Sequence, residues 1–118
     1  MSSRATLDRV REIVAALPDT KETVSHGAPT WWVKKRTFLM FTDDHHGDGR
    51  VALWCAATID EQEMLVGSDP DSFFVPPYVG AGGWVGIRLD RKLDWGVIAS
   101  LIAEGHRLIR AKQTRRSV

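Results

Sequence analysis

The sequence predicts an α+β fold, in which an antiparallel sheet is covered on one face by an N-terminal and a C-terminal helix. Apolar residues recur at helical spacing near both ends of the chain, and aromatic and β-branched residues alternate in short runs between them. The turns between these runs are too short for parallel crossovers, so neighbouring strands are expected to be antiparallel. Each helix has a single apolar stripe, which places both helices on the same face of the sheet.

Three helices are predicted from apolar spacing and capping residues. The first begins at Thr6 and ends before Pro18, and the last begins after Asp94. A short helix is inserted between strands, because Thr58 and Glu61 form a capping box, and Gly67 is expected to end it. The apolar stripe of the first helix comprises Leu7, Val10, Ile13, Val14 and Leu17.

The strands are predicted from alternation between these helices. A hairpin joins "WWV" to "FLM" through Lys34, Lys35 and Arg36, and "VALWCA", "FFV" and "WVGIRL" form further strands. Trp31 and Trp32 are consecutive, so their side chains must point to opposite faces of the sheet. At most one of them can therefore lie in a helix-covered core.

Composition indicates one soluble domain over residues 1–118, with a basic tail from about residue 112. Of the 118 residues, 43% are hydrophobic, and Cys55 is the only cysteine, so no internal disulfide can form. A lone cysteine suits a reducing compartment, and no secretory or membrane-spanning segment is visible, so we expect a cytoplasmic protein with no membrane partner. We expect a monomer or a weak homodimer.

Charge is distributed unevenly, although the net charge is only +1. Residues 43–71 carry eight acidic residues against one arginine, and residues 104–118 carry five basic residues against one glutamate. Such asymmetry can mark an end of the molecule that faces a polyanion. The alternative is a solvated acidic face and a frayed basic tail.

The glycines at positions 80, 82, 83 and 86 raise the question of a phosphate loop. A Walker loop or a dinucleotide fingerprint requires a helix after the glycines, whereas "WVGIRLD" alternates like a strand. The glycines are therefore expected to turn the chain, or to allow a neighbouring segment to approach Trp84 closely.

No constellation in the sequence indicates catalysis, a metal or a cofactor. The run from Asp43 to Asp48 has ligand-type side chains, but adjacent histidines seldom converge on one ion, so a solvated turn is predicted and no metal. Cys55 lies in an apolar strand and is expected to be an inert core residue. His26 lacks an identifiable nucleophile, so the protein is expected not to be an enzyme.

Three segments together resemble the MmcQ/YjbR-like family: "HGAPTWWVKKRTFLMF", "DPDSFFVPPYVGAGGWVGIRLD" and "LDWGVIASLIAEGHRLIRAKQTRR". The resemblance covers roughly residues 5–116 and implies a frataxin-like (CyaY-like) fold. It also implies DNA binding through a double-wing arrangement of hairpins, one of them tipped by Lys34, Lys35 and Arg36. The second candidate tip, Asp43 to Asp48, is acidic and would repel a phosphate backbone. The iron binding of frataxin-like proteins is not carried over, because the first helix lacks an acidic ridge.

Two functional hypotheses follow. The first is weak, sequence-independent binding of DNA or another nucleic acid, with cations on phosphates and Trp32 stacking on a base. The alternative is a module that binds a protein or a small ligand in a groove near Tyr78 and Trp84. The predicted phosphate contacts are Lys34, Lys35, Arg36, Arg107, Arg110 and Lys112.

Overall fold

The computed structural model describes residues 3–116. An N-terminal and a C-terminal helix flank, along the chain, the strands of a six-stranded antiparallel sheet. The strand order is β1-β2-β3-β4-β6-β5, with every neighbouring pair antiparallel. This confirms the predicted α+β class. The elements are α1 (Ser3–Ala15), β1 (Thr20–Ser25), β2 (Ala28–Val33), β3 (Arg36–Asp43), β4 (Val51–Cys55), α2 (Ile59–Ser68), β5 (Phe73–Phe74), β6 (Val85–Arg88) and α3 (Trp95–Arg116).

The main core lies between one face of the sheet and the two long helices. Alternate residues of the central strands point into it, for example Leu39 and Leu53, which are fully buried. Helix α1 contributes Val10 and α3 contributes Ile102 to the same cluster. Both helices therefore pack on one face of the sheet, as predicted.

Two helix boundaries differ from the prediction. Thr6 lies inside α1 and is buried, so its assignment as the cap is wrong. The reason is that Thr6 precedes Val10 by four residues and so shares the buried face of the helix. Gly67 does not end α2, which continues to Ser68. Thr58 is confirmed as the residue that caps α2, because its side chain accepts a hydrogen bond from the backbone N–H of Glu61, which is one of the two bonds of a capping box.

Strand β1 was not predicted from the sequence. It pairs along its whole length with β2 and forms one edge of the sheet. Its sequence, TKETVS, has little apolar alternation because an edge strand is only half covered, and Val24 is 74% exposed. The predicted hairpin between Trp31 and Met40 is confirmed as β2 and β3.

The second face of the sheet carries no α-helix within residues 3–116, although the short 3₁₀ helix Val79–Gly82 packs against it through Val79. A smaller apolar cluster forms there around Ala52, Trp54 and Phe74, with Met40, Val79 and Trp84 packed against it. This division confirms that Trp31 and Trp32 face opposite ways. Trp31 is buried in the helix-covered core, and Trp32 lies half-buried on the second face.

The glycine-rich segment is architectural, as expected. Gly83 has a φ of 105°, and a Cβ there would lie 2.8 Å from the backbone nitrogen of Ile59. Gly86 lies beneath the Phe74 ring, which a side chain would overlap. The chain then enters β6, so no helix N-terminus follows the glycines to hold a phosphate.

The basic tail predicted from about residue 112 is helical as far as Arg116, as the last turn of α3. Residues 117 and 118 lie outside the described residues.

Candidate functional site

The C-terminal end of α3 contacts the turn between β2 and β3. The backbone N–H of Lys35 donates to Gln113 Oε1 at 3.0 Å, and Gln113 Nε2 donates to the Val33 carbonyl at 2.8 Å. The backbone N–H of Lys34 donates to the Asp19 carbonyl at 3.1 Å. The turn, the residue before β1 and the end of α3 are thus held together at one end of the sheet.

We call this region the basic end. It carries exposed lysines on the turn, on β1 and on the last turns of α3. Its cationic residues are Lys21, Lys34, Lys35, Arg36 and Lys112.

The two predicted arginines of α3 are placed differently. Arg110 forms an ion pair with Asp19 at 3.3 Å, beside the turn. Arg107 lies about 160° around the helix from the buried Ile109, so it points away from the sheet, where it pairs with Glu104. The structure therefore brings Lys112 and Arg110 to the turn and leaves Arg107 on the outer face of α3.

Trp32 lies on the helix-free face close to the same turn. Its Nε1 donates to Thr23 Oγ1 at 2.9 Å, and the Lys21 ammonium lies 5.3 Å from the centroid of its ring. Lys21 and Thr23 belong to β1. Because that strand was not predicted, the sequence did not indicate that these two residues contact Trp32. Residues 20–25 carry no regular apolar alternation that could have indicated the strand.

A cavity of about 1260 Å³ opens at the gap between β2 and β3. Its lining combines side chains of the helix-free face with Ser3, Arg4, Leu7 and Arg11 of α1. The cavity exists because β2 and β3 diverge: their pairing ends at Thr30 and Met40, although β2 begins at Ala28 and β3 continues to Asp43. We call it the open-face groove. Part of its lining is formed by Met40, His45, Trp54, Tyr78, Val79 and Trp84.

The predicted pair Tyr78 and Trp84 is brought together along this groove. The side-chain amide of Gln62 donates to the carbonyls of Gly80 and Trp84, at 2.8 and 2.7 Å, and so fixes the loop that carries both aromatic residues. Met40, His45 and Trp54 were not predicted to line this groove. Met40 and Trp54 alternate with core residues along β3 and β4, which was the signal for a second face.

Tyr78 occupies a strained backbone conformation. Its φ and ψ are 64° and −70°, and the N–H of Val79 donates to the Pro77 carbonyl at 2.7 Å, which closes a three-residue γ-turn. This γ-turn, with positive φ at its centre, is the rare and strained form. It holds the Tyr78 side chain 77% exposed at the margin of the groove.

His45 and Trp54 contact each other within the lining of the groove. Their ring centroids are 4.7 Å apart in an edge-to-face arrangement. His45 Nε2 and Trp54 Nε1 are both buried, and neither has a hydrogen-bond partner among residues 3–116. Buried polar atoms without partners are uncommon in folded proteins.

The acidic segment from Asp43 to Asp48 lies at the far end of β3 from Arg36, roughly 25 Å away for a strand of this length. Its carboxylates cap its own backbone: Asp44 accepts from the N–H of Gly49, and Asp48 accepts from that of Arg50. In the part of the chain described, no group of three or more histidine, cysteine or acidic residues is placed to hold a metal ion.

The remaining candidate groups for chemistry lie apart. His26 is exposed at the β1–β2 turn and lines the groove, whereas His106 is buried in α3 with its Nε2 2.8 Å from the Pro18 carbonyl. Cys55 is buried beneath α3, and this burial raises the pKa of its thiol to about 12. It is the inert core residue that was expected.

The fold defines a small α+β protein whose six-stranded sheet is covered by helices on one face and carries an aromatic groove on the other. The chain belongs to the YjbR family, whose family profile matches residues 15–108.

A crystal structure of the Deinococcus radiodurans protein DR2400, assigned to domain DUF419, has a similar fold. The TM-score is 0.74 at 17% sequence identity, over 87% of this chain and 77% of that one. No curated protein matches the sequence. The likeness to frataxin-like proteins stays a prediction.

Within residues 3–116, no helix is both long and apolar enough to cross a membrane.

Proposed function

We propose that this protein acts by binding rather than by catalysis, and that the basic end binds nucleic acid weakly and without sequence preference. The observation that supports this proposal is the contact made by Gln113. It joins the β2–β3 turn to the end of α3, so that cations from two distant parts of the sequence share one surface. A phosphate backbone binds such a surface through charge alone, without reading bases.

We assign the phosphate contacts to the cations of the basic end that form no ion pair with an acidic side chain within the described residues. Lys34, Lys35 and Lys112 are exposed, and Arg36 is half-buried at the start of β3. Lys21 extends the surface onto the helix-free face. Arg110 and Arg107 are each engaged with a carboxylate, so they contribute less than the sequence suggested.

Trp32 supplies a stacking surface beside these cations. A base can replace the Lys21 ammonium over the indole ring, because stacking on an aromatic face tolerates every base. The displaced ammonium then remains close enough to contact the adjacent phosphate. Single strands should therefore gain an interaction that a closed duplex cannot offer.

Fluorescence anisotropy of a labelled thymidine 20-mer and its duplex, at low salt, tests this proposal. About five phosphate contacts predict that log affinity falls with log salt at a slope of about −3.5 for the single strand and −4.5 for the duplex. A complete lack of binding at tens of micromolar protein would rule the proposal out.

The double variant Lys35→Glu/Lys112→Glu is expected to weaken binding by at least tenfold and to flatten the salt slope. Its matched control is Lys92→Glu/Arg91→Glu, since these exposed residues precede α3 at the opposite end of the molecule. The length of α3 separates the two sites by about 25 Å. Equal losses in both double variants would show that only net charge matters, and not the basic end.

A further inference from the structure

We infer that the open-face groove binds a neutral, planar heteroaromatic molecule that carries a hydrogen-bond acceptor. This site lies outside the basic end and does not depend on nucleic-acid binding. It is assigned from three independent features: the aromatic lining, the unpartnered buried nitrogens and the strained turn at Tyr78.

The lining of the groove fits a flat apolar ligand. Trp84 presents part of its ring to the groove, Met40 and Val79 pack against the same cluster, and Trp54 also lines the groove although it is largely covered. Aromatic rings stack favourably on such surfaces, and a methionine side chain adapts its shape to a ring edge. Sites for small molecules are usually concave, mostly apolar and supplied with few polar groups.

The polar groups indicate what the ligand must carry. Trp54 is only 3% exposed, and its Nε1 is a hydrogen-bond donor that cannot accept. No described acceptor reaches it. An acceptor atom in the plane of a bound ring would satisfy this N–H, and His45 Nε2 offers a second position nearby.

The loop over Trp54 has to move for this bond to form. His45 packs edge-to-face on the indole, and its neighbours Asp44 and His46 both have positive φ, at 56° and 50°. Non-glycine residues adopt that conformation at a cost in strain, so the loop is held in a conformation of raised energy. Rotation of the His45 ring away from Trp54 uncovers the indole N–H.

The charges at the rim favour a neutral ligand. Arg11 already binds the Glu22 carboxylate at 2.8 Å, and Arg4 and Asp43 are of opposite sign. None of them belongs to the apolar cluster around Trp54. A ligand of either charge would therefore meet a like charge as well as an opposite one in the lining.

Tyr78 forms an aromatic wall at the margin of the groove. Backbone strain of this kind persists where the surrounding structure enforces it, and it concentrates at binding sites. Here the strain holds a tyrosine out of the core, at 77% exposure, next to the groove. The ring is thereby placed to close over a ligand that stacks on Trp54 or Trp84.

Quinoline and naphthalene form a matched pair of probes, because they share one shape and differ by a single acceptor nitrogen. With full-length ¹⁵N-labelled protein, we expect quinoline to move the Trp54 indole N–H resonance downfield in a saturable way, with half-saturation at roughly 1 mM. Naphthalene, at the same concentration up to its solubility limit, should leave that N–H without a downfield shift. A Trp54 resonance that does not respond to quinoline overturns the inference, whether or not any variant folds.

Variants separate this site from other tryptophans and from the basic end. Trp54→Phe is expected to weaken quinoline binding at least fivefold, while Trp95→Phe, at the start of α3 on the helix side, leaves it unchanged. The double variant Lys35→Glu/Lys112→Glu should lose nucleic-acid binding and keep quinoline binding. Equal quinoline affinity in Trp54→Phe and wild type would overturn the assignment, irrespective of the outcome for nucleic acid.

Discussion

Gly105 and Cys55 are packed so closely that a Cβ on Gly105 would lie 2.9 Å from the Cys55 sulfur. The same Cβ would lie 2.8 Å from the Ala56 carbonyl oxygen. At this point α3 crosses β4 with no room for a side chain, and the Cys55 thiol donates to the Leu101 carbonyl at 3.4 Å. Gly105 is therefore the residue that allows α3 to pack directly on β4.

Gly105→Ala is expected to lower the free energy of unfolding by about 2 kcal/mol, because the added methyl group must displace backbone rather than a flexible side chain. Urea denaturation followed by circular dichroism measures this. The control is Gly67→Ala in α2, where a Cβ meets nothing within 4 Å. It should be stabilising by about 0.5–1 kcal/mol through helix propensity, so two equal losses would contradict the close-packing argument.

Burial of the Cys55 thiol has a consequence at alkaline pH. Desolvation, with a smaller contribution from Glu61, raises the thiol pKa to about 12, above its value in an unfolded chain. The folded protein therefore holds this proton more tightly, so the stabilisation is complete below about pH 8.5 and is lost as pH rises towards 12. Relative to Cys55→Ala, the wild-type free energy of unfolding should fall between pH 9 and 10.5, as followed by urea denaturation at each pH. Parallel curves for the two proteins would refute the assignment.

The pair Arg88 and Asp90 predicts an acid-dependent contribution to stability. Two hydrogen bonds of 3.0 Å from Arg88 lower the Asp90 pKa, and the N–H of Val51 assists. A lowered pKa stabilises the fold above the ordinary value near 4, and this contribution disappears as pH falls below it.

Arg88→Gln should cost at most about 1 kcal/mol at pH 7, because the carboxylate is 26% exposed, and less at pH 2.5, below the ordinary pKa of an aspartate. Thermal unfolding of variant and wild type at the two pH values gives the comparison. Lys92→Gln is the control, because it removes a positive charge that forms no ion pair within the described residues. A cost that is the same at both pH values would argue against the ion pair as its source.

The capping box of α2 predicts a graded pair of substitutions. The Thr58 hydroxyl accepts from the N–H of Glu61 at 3.2 Å, and Thr58→Ala leaves that donor without a side-chain partner. A loss of about 1 kcal/mol is expected for Thr58→Ala and almost none for Thr58→Ser, measured by urea denaturation. Similar losses in both variants would mean that the methyl group of Thr58, and not its hydroxyl, stabilises the helix start.

Much of the fold could be predicted from the local spacing of apolar residues in the sequence. The apolar stripes predicted both long helices, the alternation of Trp31 and Trp32 predicted two different environments, and Thr58 predicted the start of α2. These features depend on neighbours within a few residues, where helical and strand periodicities act directly. Strand β1 was not predicted, because an edge strand can be polar along most of its length. Only its pairing with β2 defines it as a strand.

The residues of the two candidate surfaces could be predicted from the sequence only in part. The residues of the β2–β3 turn and the cations of α3 could be named from the sequence, as could Tyr78 and Trp84. Which cations share a surface depends on contacts between Gln113 and residues some 80 positions away. Arg107 lies apart from that surface, beside Glu104. Pairing over such a separation leaves no periodic signal.

The sequence by itself determined the α+β class, the two-sided character of the sheet and the structural role of the glycines, because each follows from backbone geometry and local alternation. Tertiary structure alone decided that the basic turn meets the end of α3. It also decided that β2 and β3 diverge to open a groove, and that the Trp54 N–H lies buried without an acceptor. Those outcomes depend on how separate elements pack in three dimensions, which sets hydrogen-bond partners and empty space that no single segment encodes.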